Sequence, residues 1–177
     1  FLVPTGRGRQ LESLDPTTVE DVLNFVYDAG EFIATKTTEA PHFRRVSLQR
    51  TLLESAGIDP VTALGLGTLY RDIALDLKTT MADFTSRTRR PPLAVNAGYG
   101  FVFVSHVGDV HPSGFLPIAA GNIRDRSLVE IYREAEIFTG LRDARKLHGR
   151  CGRCEFTMCG GSRSRAYALT GDPYGEE

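Results

Sequence analysis

The chain has 177 residues, 41% of them hydrophobic and 24% charged, and a net charge of −1. That balance is the one of a globular protein of one ordinary domain or two small ones, with no global field to draw nucleic acid or an anionic membrane. The longest apolar runs, such as Phe101 to Val104, fall far short of the ~20 residues that span a bilayer.

The N-terminal FLVPTGRG has no basic stretch followed by an apolar one, so no secretory leader is read in it. It predicts a short buried strand running into a glycine loop. Asp15-Pro16-Thr17-Thr18 then carries helix-start residues, with Glu20 three after Thr17 at capping-box spacing. Val19, Val22, Leu23, Val26 and Tyr27 recur at helical spacing up to Gly30. Residues 31–37 are β-prone, so strand, helix and strand predict a βαβ unit of a parallel α/β fold. Such a unit needs both sheet faces covered. With GDPYGEE stopping in a turn at the other end, the expectation is a fragment.

A helix is expected over 42–55 on Phe43, Val46, Leu48, Leu52 and Leu53, and another over 68–84 with a stripe of Leu69, Tyr70, Ile73, Ala74, Leu77 and Met81. SRTRRPP, residues 86–92, reads as a basic, proline-bearing linker. Beyond it, Phe101–Ser105 and Val110–Gly114 flank a turn and predict a hairpin. Gly121–Arg124 reads as a loop. Ser127 and Glu130 form a capping box for a helix bearing Leu128, Ile131, Tyr132 and Ala135, and a further helical run holds Phe138, Leu141 and Leu147.

All three cysteines fall within CGRCEFTMCGG, residues 151–161. An odd number argues against a secreted disulfide framework, and thiols used for metal or redox chemistry in the cytoplasm fit better. A C-x2-C turn brings two sulfurs to one side, and Cys159 is near enough in sequence to join them. Thiolates suit zinc or an iron–sulfur cluster, and Gly160 and Gly161 let backbone approach sulfur. One pair plus one is poor arithmetic for a zinc ribbon. A thioredoxin-like redox pair and three unrelated cysteines remain open. Arg142, Arg145, Lys146, His148, Arg150, Arg153, Arg163 and Arg165 crowd the stretch; they read as a solvated helix end, as cations tuning an anionic cluster, or both.

The run GNIRDRSLVEIY, then LRD, HGRCGRCE and MCGGSRSRAYALTGDP, resembles the SPASM domain of radical SAM enzymes. It is most similar to the group of haem d1, alternative haem and coenzyme PQQ synthesis proteins. The resemblance implies an α/β fold: terminal βα units of a partial (β/α)6 TIM-like barrel, then a small α+β SPASM domain of hairpin, helices and cluster-binding loop. It divides the chain into 1–55 as the end of the barrel, 56–95 as a helical linker and 96–177 as the auxiliary-cluster domain. It implies Cys151, Cys154 and Cys159 as ligands of one auxiliary 4Fe-4S cluster. The family's fourth cysteine, shortly after the GDP stretch, is expected beyond residue 177. Ser113 stands where many such domains have a further cysteine, which argues against a second auxiliary cluster.

The C-x3-C-x2-C signature that binds the cluster for S-adenosylmethionine is not in this sequence. The resemblance therefore implies a longer enzyme, with S-adenosylmethionine and a second 4Fe-4S cluster, and a chain inactive alone. It further implies an oxidoreductase in the cytoplasm that modifies a peptide or a cofactor precursor, served by a flavodoxin- or ferredoxin-like electron donor. Barrel enzymes place their chemistry at the carboxyl ends of strands. Gly6 and Gly8 are therefore candidates to approach cofactor, and Glu39, His42, Arg44 and Arg45 to grip an acidic substrate. Both sets have bland readings, a tight turn and a solvated helix start. His106 and His111 read as surface turn residues or as cluster ligands. The alternative function is a zinc-binding interaction module without catalysis.

Overall fold

The computed structural model describes residues 2–177, the side chain of Met158 excepted. The chain folds as two units, each assembled from separated stretches. One comprises Ser13–Thr37 and Phe43–Leu93, the other Phe1–Glu12, Thr38–His42 and Ala94–Glu177. The described residues hold eight α-helices and one three-stranded antiparallel sheet, an α/β composition. Among the described residues no helix is long and apolar enough to cross a membrane.

The first of these units is helical. Its α1, Pro16–Ala29, starts at Asp15, whose carboxylate accepts from the N–H groups of Thr17 and Thr18. Pro16 sits at the first helical position, where no N–H is needed. The Thr17–Glu20 box is not used: Asp15 caps instead, and Glu20 pairs with Arg45. Next come α2, Phe43–Ser55, α3, Pro60–Leu64, and α4, Thr68–Thr80. Both α2 and α4 pack on α1. Leu66, Tyr70 and Ala74 are buried together with Phe25, Val61 and Leu64 against them. On α2 the buried face is Phe43, Val46 and Arg50, while Leu48 and Leu52 are exposed.

Two polar residues organise this core. Asp21 of α1, 3% exposed, accepts from the N–H of Gly67 at 2.8 Å and of Tyr70 at 3.2 Å. Gly67 is the N-cap of α4 and has no side chain to cap with, so α1 supplies the cap. Arg50 is buried, pairs with Asp28 at 2.5 Å and lies over the Tyr27 ring at 4.8 Å. Asp28 also accepts from the Tyr70 hydroxyl at 2.6 Å. Residues 86–92 are irregular, but not idle. Arg89 lies over the Tyr27 ring at 4.1 Å, donates to the Tyr27 carbonyl at 3.1 Å and pairs with Glu31 and Glu54.

In the other unit, β1 (Phe103–Val104) pairs with β2 (Asp109–His111), with Phe103 opposite His111 and Val104 opposite Val110. This is the expected hairpin. The stretch read as a loop provides a third strand, β3 (Gly121–Asn122), beside β2. Asn122 reaches back to the Val107 carbonyl and to Asp109, which fixes the register. The Ser127–Glu130 capping box is formed and opens α5, Leu128–Glu134. A break at Ala135 leads into α6, Glu136–Arg142. Val110, Ile131 and Phe138 are fully buried together, each worth ~1.5–3 kcal/mol of burial. Two more helices follow, α7 (Gly149–Gly152) and α8 (Arg163–Thr170).

The expected βαβ unit is not formed among the described residues. Leu2–Thr5 makes no ladder, Phe1 lies outside the described residues, and 31–37 is turn and coil. The amides of Phe32 and Ile33 fold back onto the Ala29 carbonyl. A strand exists only where a neighbour takes its backbone hydrogen bonds, and all three strands here lie within 103–122. The α/β composition holds, while no parallel strand pair of a terminal barrel unit is formed among the described residues.

Candidate metal and cofactor site

The cysteine segment runs from within α7 to just before α8. Cys151 is the third residue of α7 and half-buried, Cys154 is exposed, and Cys159 is buried. None is in a disulfide. The sulfurs of Cys151 and Cys154 accept hydrogen bonds. Arg163 Nη2 donates to Cys151 Sγ at 3.3 Å, and the Phe156 amide to Cys154 Sγ at 3.3 Å. Among the described residues no three His, Cys, Asp or Glu side chains gather at one point as a metal-binding group. The donor set is three thiols, with an N–H aimed at the sulfurs of Cys151 and Cys154, and is of the kind that suits a thiolate-bound metal.

The glycines after Cys159 are structural requirements. Gly160 and Gly161 have φ of 72° and 58°, a region that side-chain-bearing residues rarely adopt. A Cβ on Gly160 would meet Asn96 Nδ2 at 2.7 Å. A Cβ on Gly161 would meet Arg163 Nη2 at 2.6 Å and Glu177 Oε2 at 2.8 Å, with Cys151 Sγ 3.5 Å away. Asn96 holds the loop by donating to the carbonyls of Cys159 at 3.0 Å and Gly161 at 2.9 Å.

Glu39 is tied to the same loop. Ser162, the N-cap of α8, donates to one of its carboxylate oxygens at 2.7 Å, and Ser113 to the other at 2.8 Å. Glu39 has φ 53°, strained for a residue with a side chain. Both of its oxygens are thus engaged inside the protein. His42 belongs to the same unit as Glu39, whereas Arg44 and Arg45 belong to the other. Arg45 is engaged by Glu20 and by Gln49 at 2.7 Å. Gly6 and Gly8 lie in a 3-10 turn, Gly6–Gln10. A Cβ at Gly8 would meet the Val3 carbonyl oxygen at 2.7 Å, so the turn itself requires that glycine. His106 is exposed, and the His111 ring lies 6.1 Å from that of Phe103.

The GDPYGEE stretch is anchored rather than open. The Tyr174 carbonyl accepts from the His148 amide at 3.1 Å, Asp172 meets His148 Nε2 at 2.6 Å, and Glu176 accepts from the Arg150 amide at 2.9 Å. Glu177 accepts from the Ser162 amide at 2.5 Å and from Arg165 Nε at 3.0 Å. Burial pushes the Glu177 carboxyl up, against the pull of that amide and of Arg165 and Arg163.

The cysteine segment is thus a loop whose backbone is held by Asn96 and whose Cys151 sulfur is met by Arg163. No family model matches the chain. It is 38% identical over 180 residues to an AdoMet-dependent heme synthase of Methanosarcina barkeri, covering 100% of this chain and 45% of that protein. An AdoMet-dependent heme synthase of Oleidesulfovibrio alaskensis is 33% identical over 182 residues, again across 100% of this chain and 41% of the relative. A pre-heme d1 synthase of Dinoroseobacter shibae is 34% identical over 86 residues, 46% of this chain and 21% of that one. The chain is a homologue of the haem-synthesis group of radical SAM/SPASM proteins, and spans less than half the length of these curated relatives.

Proposed function

We propose that this chain is the auxiliary-cluster part of a radical SAM oxidoreductase that acts on a haem precursor. The observation that carries this reading is similarity along the entire chain to proteins named AdoMet-dependent heme synthase. When bound, a 4Fe-4S cluster supplies one-electron chemistry. Cys151, Cys154 and Cys159 would hold it. Asn96 fixes the loop carbonyls, Gly161 leaves room beside the Cys151 sulfur, and Arg163 donates to that sulfur. S-adenosylmethionine and its own 4Fe-4S cluster would be held by residues outside these 177, with a flavodoxin- or ferredoxin-like donor as electron source. A cytoplasmic setting suits such oxygen-sensitive thiolate chemistry.

Reconstituting anaerobically a longer form that includes the further cysteine the resemblance implies, and measuring iron, sulfide and zinc, tests the cluster. About four irons and four sulfides per chain, with broad absorption near ~400 nm, are expected. Zinc without iron would move the site to a structural metal module. Disrupting the gene tests the substrate: cellular haem should fall, and unchanged haem would remove the haem part of the reading.

A further inference from the structure

Residues 172–177, which follow α8, hold both flanks of the cysteine segment at once. Ahead of Cys151, the Tyr174 carbonyl accepts from the His148 amide and the Glu176 carboxylate from the Arg150 amide. Beyond Cys159, the Glu177 carboxylate accepts from the Ser162 amide and from Arg165 Nε. Arg163, 1% exposed, joins the two sides. Its Nη1 donates to the carbonyls of Pro173 at 3.2 Å and Gly175 at 2.8 Å, and its Nη2 to Cys151 Sγ at 3.3 Å. The Glu177 side chain is 14% exposed. It brings to this place the negative charge that a buried guanidinium needs.

The fit is close at two glycines. A Cβ on Gly149 would meet Glu176 Oε2 at 2.7 Å, and one on Gly140, in α6, would meet Tyr174 Oη at 2.2 Å. In this arrangement Cys154 is exposed and Cys159 buried. Among the described residues the three thiols do not gather into a metal-binding group. The segment as folded here therefore does not fit one metal held by all three. Ser162 stands three positions after Cys159, so uncovering Cys159 means moving the start of α8, which Glu177 pins.

We infer that 172–177 is a strap that closes the cysteine segment: it keeps the three thiols apart and Cys159 covered, and ligation or modification of Cys159 waits for its release. This goes beyond the cluster reading above and does not depend on it. Release breaks hydrogen bonds to two carboxylates. Each such bond is worth a factor of about ten or more in a local opening equilibrium.

The test uses the longer form of the chain, stripped of metal with a chelator, as wild type, Glu176→Ala/Glu177→Ala, Gly140→Ala and Arg145→Met. N-ethylmaleimide labelling at one pH is followed cysteine by cysteine by peptide mass spectrometry, with circular dichroism as the check on the fold. In the wild type, Cys154 should react first and Cys159 at least about tenfold more slowly. In the double variant, which removes both strap carboxylates, Cys159 should react about tenfold faster than in the wild type, with Cys154 unchanged. Gly140→Ala pushes Tyr174 away while alanine suits α6, and should speed Cys159 in the same way. Arg145→Met should match the wild type, because the Arg145 side chain is 90% exposed and pairs with Asp143. A faster Cys159 in either strap variant, with circular dichroism unchanged, supports the inference. A wild-type Cys159 as reactive as Cys154 overturns it. So does an unchanged Cys159 in both variants with the fold intact. Should the double variant lose its fold, Gly140→Ala decides by the same criterion. Loss of the fold in both makes 172–177 a part of the core rather than a strap, and overturns it. Thiol access is read without metal, so its failure leaves the cluster reading standing, and absence of iron after reconstitution leaves the strap standing.

Discussion

The carboxylate of Asp21, on α1, caps α4 by accepting from the amide of Gly67, 46 positions away in the chain. A second bond, from Tyr70, uses its other oxygen. Asp21→Ala leaves two helix-start amides without an acceptor in a buried place. The expected cost is about 1–3 kcal/mol, read as a lowered midpoint in urea. Gly67→Ala should also destabilise, since its Cβ would lie 2.6 Å from Asp21 Oδ2.

Tyr70 gives the helical unit an alkaline limit. Burial, with the bond to Asp28 next, pushes its hydroxyl from 10.0 up to about 12. The folded state holds this proton more tightly than the unfolded chain. Its contribution is therefore fully present below the unfolded value of 10.0 and is lost as pH rises towards about 12. Tyr70→Phe should flatten the fall in stability across that window. Burial also raises the Tyr27 hydroxyl, so part of the fall should remain. Urea midpoints of both proteins on either side of the window measure it.

Glu39 holds a strained backbone against two serine hydroxyls. Glu39→Ala keeps the strain and loses the bonds, whereas Glu39→Gly loses the bonds and relieves the strain. The glycine variant should be the more stable of the two by about 1–2 kcal/mol. Equal midpoints would show that the φ of Glu39 costs nothing.

Gly161→Ala puts a methyl against Arg163 Nη2 and Glu177 Oε2. Iron per chain after reconstitution should drop well below the wild type. The melting temperature of the helical unit, in which Gly161 takes no part, should hold.

Phe138→Ala empties the fully buried centre of the sheet-bearing unit and should cost about 3–5 kcal/mol. Its readout is the denaturant midpoint of that unit.

What could be read from the sequence was what is local in it. The Ser127–Glu130 box involves residues three apart, and the hairpin and the helix at 43–55 follow from short-range pattern. The cysteine spacing and the glycines after it pointed to the site because one short segment supplies them. Nothing local marks Asp21 or Asn96, whose partners lie 46 and 65 positions away, and the local cluster that singled out Glu39 did not show its partner 123 positions on. Arg163 was one of eight basic residues near the cysteines, and composition cannot say which of them is buried. Residues 31–37 form no strand for the same reason: β-propensity is worth little without a neighbouring strand.

Glu39 enters its unit through a stretch of only five residues, Thr38–His42, set between two pieces of the other unit. No single cut of the chain yields either unit whole. A truncation starting at Ala94 would discard the acceptor of Ser113 and Ser162, and the Leu2 carbonyl that Arg165 meets. The cysteine segment is therefore not a portable cassette. Its assembly has to wait for remote parts of the chain to close large loops, an entropic cost that grows slowly with their length. Grafting experiments that move 94–177 onto another scaffold should carry Leu2–Glu12 and Thr38–His42 along with it.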